Sequence, residues 1–202
     1  MNKLLIGVPC ASTVKTKFML CLIDALKMGY GIPIQLEARI GSIIHDARNR
    51  IMYTAYSSGA DYALWIDSDM TFLPSDVLQL IQDAKTTDAD LITGCYFKRT
   101  IPTGPVFHKD LYWKSAADHY VTDFEEYPKD SLFEIGACGF GFCITKVSTA
   151  MEMVDTFKEA PFQPLPGLGE DYSYCERLAR LGGKMLCDSR IQVGHMGDII
   201  YN

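Results

Sequence analysis

Several features that mark large classes of protein are missing from this chain of 202 residues. The N-terminal apolar run is short and stops at Pro9, so residues 1–9 predict neither a signal peptide nor a membrane span, and we expect a cytoplasmic protein. The seven cysteines are odd in number and include no Cys-x-x-Cys pair. They therefore predict reduced core thiols and not a zinc site or a disulfide framework.

Positive charge is also scarce. The 19 lysines and arginines are outnumbered by 25 aspartates and glutamates, which gives a formal net charge of −6. This balance argues against an extended nucleic-acid footprint, although it leaves room for a local basic groove. The apolar fraction of 48% and the charged fraction of 22% are ordinary for a globular protein, and the length predicts one domain with a sizeable core.

The stretch from Tyr62 to Met70 is the most informative in the chain. A short apolar run leads into Asp67-Ser68-Asp69, which predicts a buried strand that delivers two carboxylates to the edge where α/β sheets bind ligands. The two carboxylates flank one small residue and could share Mg²⁺ or Mn²⁺, and this cation would hold a phosphate. Such a short motif is equally compatible with a solvated turn whose acids cap a helix.

Residues 1–94 alternate between β-prone apolar runs and amphipathic segments. The pattern predicts strands at 4–8, 33–37, 62–66 and 90–94 and helices at 43–57 and 74–85, together with a helix that Thr13 or Thr16 could cap and that runs through Met28. This alternation indicates an α/β fold with a Rossmann-type, mostly parallel sheet flanked by helices. In the helix over 43–57 we expect an apolar stripe of Ile44, Ala47, Ile51 and Ala55, with Asp46, Arg48, Asn49 and Arg50 on the other faces.

The region from 95 to 132 breaks the alternation and is rich in aromatic residues, so we predict a small antiparallel and loop region over the sheet edge. Aromatic surface of this kind can stack on a sugar or a base, and a small satellite core is the alternative. Lys98 and Arg99 follow a predicted strand closely enough to reach a phosphate, or they are a solvated pair.

Three features stand out after residue 132. Gly136, Gly139 and Gly141 permit close backbone approach to a ligand, although their spacing is not the Gly-x-Gly-x-x-Gly of dinucleotide-binding proteins. Helices are predicted at 146–156 and 170–181, the second opened by the acids at 170 and 171, which also match a helix dipole. A late His195 is either functional or structural.

The order of these motifs resembles the GT-A fold of glycosyltransferase family 2, and the resemblance covers nearly the whole chain. The shared features are a first strand ending in proline, an Arg-Asn helix, the Asp67-Ser68-Asp69 strand end, the glycine-rich Gly136–Gly141 segment, Gly169-Glu170-Asp171 opening a helix, and Gly194-His195.

The resemblance implies a role for each matching position. Asp67, Asp69 and His195 would bind a divalent metal, Mn²⁺ or Mg²⁺, and Asp171 would be the general base beside Glu170. A helix N-terminus tends to lower the pKa of Asp171, which only burial or Glu170 would raise. The donor nucleotide-sugar would contact Pro9, Ala11, Asp46, Arg48, Asp67, Ser68, Lys98 and Gly139.

The implied activity is transfer of a sugar from a nucleotide-diphosphate sugar, with UDP favoured, to an acceptor hydroxyl with inversion. Residues 1–94 would form the nucleotide-binding half and residues 95–202 the acceptor and catalytic half of a single domain. Small transferases of this pattern occur in bacteria and phages, so the expected location is the bacterial or host cytoplasm. The acceptor would be a glycan or a hydroxymethylated DNA base.

Two other functions are compatible with parts of the sequence. Asp67-x-Asp69-x-Thr71 fits the motif of haloacid-dehalogenase-like phosphatases, although such enzymes carry it on their first strand, and His195 would then have no role. The chain could also be a non-catalytic nucleotide-sugar-binding module, which would bind the donor without hydrolysing or transferring it.

Overall fold

Helices and strands alternate through the first half of the chain, as the apolar pattern predicts. The computed structural model describes residues 1–100 and 103–197, so residues 101–102 and 198–202 of the predicted second half lie outside the described residues. The elements in chain order are β1 (Leu4–Cys10), α1 (Thr16–Lys27), β2 (Ile34–Ile40), α2 (Ile44–Ser57), β3 (Tyr62–Ile66), β4 (Met70–Thr71), α3 (Pro74–Thr86), β5 (Leu91–Cys95), β6 (Phe107–His108), β7 (Asp110–Ser115), β8 (Asp118–Thr122), β9 (Leu132–Glu134), β10 (Ala137–Cys138), β11 (Phe142–Lys146), α4 (Val147–Phe157), α5 (Glu170–Arg180), β12 (Met185–Gln192) and β13 (Gly194–His195).

The central sheet has seven strands in the order β2-β1-β3-β11-β5-β12-β9. The β1–β2, β1–β3 and β5–β12 pairs are parallel, whereas β11 is antiparallel to both of its neighbours and β9 is antiparallel to β12. All strands of this sheet except β9 and β11 therefore run in one direction, and the predicted α/β class with a mostly parallel sheet is confirmed. Strand β11, which the sequence pattern did not predict, lies between β3 and β5 and joins the two groups of parallel strands.

The sheet separates two hydrophobic cores because successive strand residues point to opposite faces. Ala63 and Trp65 of β3 pack with α2, α4 and α5, while Leu64 and Ile66 pack with α1 and α3. The Trp65 indole N–H donates to the Thr145 hydroxyl at 3.0 Å, which satisfies the polar atom of a fully buried ring. Among the described residues, no helix is long and apolar enough to cross a membrane.

Three sequence expectations about burial were wrong. Ile44 is 40% exposed, whereas Arg48 and Asn49, assigned to the polar faces of α2, are buried. Asn49 is tolerated there because its side-chain oxygen accepts a hydrogen bond from the Phe162 N–H at 2.9 Å.

Strand β1 continues through Pro9, where the sequence pattern predicted its end, to Cys10. Proline is tolerated in this strand because β3 pairs only with residues 4–7, so no hydrogen bond to β3 is needed at Pro9.

The buried carboxyl of Asp83 on α3 gives the stability a dependence on pH. Desolvation, followed by contact with Asp188, raises the pKa of Asp83 from 3.8 to about 6. The folded state therefore binds this proton more tightly than the unfolded chain, and the free energy of unfolding should fall as the pH rises between those two values. We expect Asp83→Asn to make this fall shallower in urea titrations, and Asp155→Asn, on the exposed side of α4, to leave it unchanged. An identical slope for Asp83→Asn and the parent protein would contradict the assignment.

Candidate functional site

The Asp67-Ser68-Asp69 turn lies at the C-terminal end of β3, where the sequence placed it. The Asp67 N–H donates to the Gly141 carbonyl at 2.9 Å, and the Met70 N–H donates to the Asp67 carbonyl at 3.1 Å. The first bond joins the turn to the glycine-rich segment that precedes β11. The motif therefore follows the third strand of the chain and is held by backbone bonds on both sides.

Arg48 lies between this turn and the start of α5. Its side chain is only 4% exposed, and Nη2 donates to both carboxylate oxygens of Asp67, at 3.1 and 3.4 Å. Nε lies 3.6 Å from Glu170 Oε1, and the guanidinium lies over the Phe140 ring, 5.3 Å from its centroid. Nε and Nη1 are both buried without a hydrogen-bond partner among the described residues. Arg48 thus connects α2, the strand end and α5 by charge, and only its Nη2 group donates a hydrogen bond.

Two aspartates near Arg48, Asp67 and Asp171, hold their protons more tightly than free aspartates do. Desolvation raises the pKa of Asp67 to about 6, opposed by Arg48 and assisted by Asp69, Glu170 and Asp171. The pKa of Asp171 is likewise raised, by burial first and then by Glu170, with Arg48 acting in the opposite direction. Burial therefore outweighs the effect of the helix N-terminus on Asp171, so its carboxylate is a better proton acceptor than an exposed one.

His195 lies beside Asp69, although the two residues are far apart in sequence. Strand β13 pairs with β4 so that His195 stands opposite Met70, and the His195 Nε2 lies 3.6 Å from Asp69 Oδ2. Nδ1 must carry the ring proton, since it contacts the Phe97 carbonyl at 3.0 Å and a carbonyl only accepts. This bond directs Nε2 toward Asp69, as the second partner of a metal-ligating histidine usually does.

The predicted metal ligands do not all converge in this structure. Within residues 1–100 and 103–197, no three His, Cys, Asp or Glu side chains are grouped as a metal site. Asp67 instead forms an ion pair with Arg48, and Asp69 Oδ2 forms one with Arg99 Nη1 at 2.8 Å. The carboxylate of Asp69 nevertheless suits Mn²⁺ or Mg²⁺, because such ions often take only one or two protein carboxylates and complete their shell with phosphate and water. His195 Nε2, 3.6 Å from Asp69 Oδ2, is close enough to contact the same ion.

A cleft of about 220 Å³ opens beside the turn. Four of the residues predicted to contact the donor line it, namely Pro9, Ala11, Asp67 and Ser68. Asp46 does not, because it faces a neighbouring depression of about 280 Å³, where it pairs with Arg50 at 2.9 Å and both side chains are more than half exposed. The two hollows are adjacent and share Gly41 and Ala47.

Lys98 and Gly139 have different surroundings. Lys98 lies in the loop after β5, where its N–H donates to the Gly104 carbonyl at 2.8 Å and its carbonyl accepts from the Thr103 hydroxyl at 2.9 Å. Gly139 borders the predicted base, since a Cβ at this position would lie 3.6 Å from an Asp171 carboxylate oxygen.

Two residues at the site were missed or only loosely assigned by sequence reasoning. Tyr96 is buried, and its hydroxyl accepts the Gly141 N–H at 2.8 Å, which supports the segment behind Asp67. Arg99 was paired with Lys98 as a phosphate contact, yet Arg99 alone reaches Asp69. Nothing in the local sequence distinguished the two cations.

The aromatic residues of the predicted acceptor half divide into two groups. Phe107, Phe124, Tyr127 and Phe133 pack against one another, so for them the satellite-core interpretation is the better one. Tyr112 and Tyr120 are stacked on the exposed β7–β8 hairpin. Near that hairpin lies a cavity of about 680 Å³ lined by Lys109, Asp110, Thr122, Asp123, Phe124, Glu125 and Glu126.

Comparison with known proteins gives structural matches only. Neither a protein-family profile nor a curated protein sequence matches the chain. The crystal structure of A197 from STIV matches with a TM-score of 0.65 and 20% identity, covering 98% of this chain and 87% of A197. GalNAc-T7, solved with UDP, GalNAc and Mn²⁺, matches with a TM-score of 0.66 and 10% identity, covering 98% of this chain and 44% of GalNAc-T7. At such low sequence identities the structural similarity establishes only the fold, which is GT-A-like.

Proposed function

We propose that this protein is a metal-dependent glycosyltransferase that moves a sugar from a nucleotide-diphosphate sugar to an acceptor hydroxyl. The observation that carries the proposal is that Arg48 contacts both Asp67 and Glu170. These contacts bring the Asp67 turn and the Glu170-Asp171 pair together beside a cleft at the C-terminal edge of the sheet. The GT-A-like fold supports it, as does the UDP and Mn²⁺ named for GalNAc-T7. UDP is accordingly the favoured nucleotide.

In this proposal the two halves of the domain have separate tasks. Residues 1–94 bind the donor, with Pro9 and Ala11 lining the pocket for base and ribose, and residues 95–202 supply the acceptor side. The guanidinium of Arg99, whose side chain is 49% exposed, is a positive group placed for a diphosphate, and Arg48 adds its positive charge from behind Asp67. Asp46, Lys98 and Gly139 remain proposed donor contacts that would lie at the margin of the cleft.

Asp69 and His195, with Asp67, would hold Mn²⁺ or Mg²⁺. When bound, the cation would stabilise the negative charge that develops on the leaving diphosphate. Arg48 keeps the carboxylate of Asp67 in place, and the Phe97 carbonyl fixes the orientation of the His195 ring.

Asp171 is the proposed general base. It would take the proton from the acceptor hydroxyl as the oxygen attacks the anomeric carbon from the face opposite the diphosphate, so a single displacement inverts that centre. Glu170 contributes by raising the pKa of Asp171. Of the two acceptor classes, a glycan is favoured over DNA, because the 680 Å³ cavity is lined by Asp110, Asp123, Glu125 and Glu126, which would repel phosphates.

A thermal-shift experiment with UDP, GDP, CDP and dTDP, each with and without Mn²⁺, tests the donor site. At about 100 times the dissociation constant, a ligand adds about 2.7 kcal/mol, or roughly 5–10 °C in a protein of this size. We expect one nucleotide to give such a shift only with Mn²⁺, and Asp69→Asn to abolish the metal-dependent part. Asp155→Asn makes the same chemical change at an exposed site on α4 and should leave the shift intact.

Each alternative function has its own outcome in that experiment. No shift with any nucleotide, together with Mg²⁺-dependent hydrolysis of a phosphate monoester, would replace the transferase by the phosphatase. A nucleotide-sugar that binds but is neither hydrolysed nor transferred would indicate the non-catalytic module. The phosphatase motif belongs on a first strand, whereas Asp67 follows β3.

A further inference from the structure

Strand β2 leaves one edge of the central sheet open. It is the terminal strand of the sheet, and no described strand pairs with its outer side. The Pro33 carbonyl accepts from Leu4, and the Gly41 N–H donates to Cys10. Since successive peptide groups of a strand alternate in direction, the odd-numbered residues of β2 face β1 and Ile34, Leu36, Ala38 and Ile40 turn their N–H and C=O groups outward. Such a row is a template for another strand.

The face of β2 on the α1 side is apolar and incompletely covered. The β1–β2 register puts Leu36 beside Ile6 and Ile40 beside Cys10, on the face that packs against α1. Leu36 is nevertheless 41% exposed and Ile40 is 73% exposed. Helix α1, on the same side of the sheet, also has exposed apolar side chains, namely Met19, Leu20, Ile23 and Leu26. Exposed apolar surface next to an open strand edge is typical of an interface.

We propose that β2 pairs antiparallel with β2 of a second copy of this chain, about a twofold axis perpendicular to the sheet at Ala38. This operation keeps both copies of α1 on the same side of the joined sheet. Residues whose numbers sum to 76 then stand opposite each other, so Ala38 exchanges two backbone hydrogen bonds with its own copy, and Leu36 faces Ile40 of the partner copy.

The charges on the other face of β2 select this register. Glu37 and Arg39 form an ion pair within the chain at 2.6 Å, with side chains 20% and 42% exposed. With the axis at Ala38, Glu37 stands opposite Arg39 of the partner copy at both symmetric positions, which is favourable. Moving the axis to Glu37 or to Arg39 would place like charges opposite each other. Pairings in which the two residue numbers sum to an odd value are excluded, because only the even-numbered residues of β2 turn their N–H and C=O groups outward.

Sedimentation velocity over a wide range of protein concentration tests the interface independently of donor binding or activity. We expect the parent protein to form a dimer, and Glu37→Lys to weaken it by about tenfold or more, because two attractive pairs become repulsive. Arg39→Glu should act in the same way. The double exchange Glu37→Lys with Arg39→Glu should restore the dimer, which a merely unfolded variant could not do.

Two further variants complete the test. Ala38→Pro removes an N–H that faces outward, so the monomer loses no sheet hydrogen bond while the dimer loses its central pair. Asp88→Lys makes the same charge change as Glu37→Lys at an exposed ion pair away from β2 and should leave the dimer intact. A parent protein that is monomeric at every concentration, or a dimer insensitive to Ala38→Pro and not rescued by the charge exchange, would overturn the proposal.

Discussion

Replacing Asp171 by asparagine is expected to lower the rate of sugar transfer by roughly 10²- to 10⁴-fold, the usual contribution of a general base. Asparagine keeps the size of the side chain and can still accept the 2.8 Å hydrogen bond from the Tyr172 N–H, so the first turn of α5 should persist. The Mn²⁺-dependent thermal shift with the donor nucleotide should therefore change little. Release of free sugar from the nucleotide-sugar is the first assay, since water can replace an unidentified acceptor.

Glu170→Gln provides the matched control for this prediction. Glutamine removes the charge next to the base without removing the base, so the loss of rate should be much smaller. Because Glu170 helps to raise the pKa of Asp171, the acid limb of the pH–rate profile should move to lower pH in Glu170→Gln. Equal loss of donor binding in Asp171→Asn and Asp69→Asn would contradict the division between a base and a metal–diphosphate site.

Replacing Arg48 by methionine is expected to destabilise the protein by about 3–5 kcal/mol at neutral pH, which is the usual cost of removing one partner of a buried ion pair. Methionine retains the apolar stem that packs near Phe140, but it leaves Asp67 and Glu170 close together without their shared cation. Because Arg48 lowers the pKa of Asp67, its removal raises that pKa further above its present value of about 6. The loss of stability should consequently shrink as the pH is lowered, because the carboxylates take up protons.

Urea titrations at neutral and mildly acidic pH measure both parts of this prediction. Arg50→Met is the matched control, since Arg50 lies on the same helix and makes an ion pair in which its side chain is 64% exposed. Surface pairs of this kind contribute about 0–1 kcal/mol, so Arg50→Met should have a small effect. A comparable loss for the two variants, or a loss for Arg48→Met that does not vary with pH, would contradict the role of Arg48 as the cation shared by Asp67 and Glu170.

Much of the fold was determined by local sequence. The apolar runs and helical stripes of residues 1–94 placed seven elements close to their observed bounds, because strands buried on both faces are continuous apolar runs, whereas helices buried on one face have an apolar period near four. Acids after a buried strand, and Gly169 before Glu170 and Asp171, likewise placed the predicted metal and base positions at element ends, where ligand-binding groups usually lie.

Tertiary structure decided which of these groups meet. Periodicity specifies that a side chain is buried, but it does not specify the partner, so nothing local showed that Arg48 would be buried between Asp67 and Glu170. Strand β11 contains a short apolar run, Phe142–Ile144, but its antiparallel place between β3 and β5 depends on pairing with distant strands, which no local pattern specifies. The contact of Asp69 with His195 has the same origin, since the pairing of β4 with β13 brings these two distant parts of the chain together.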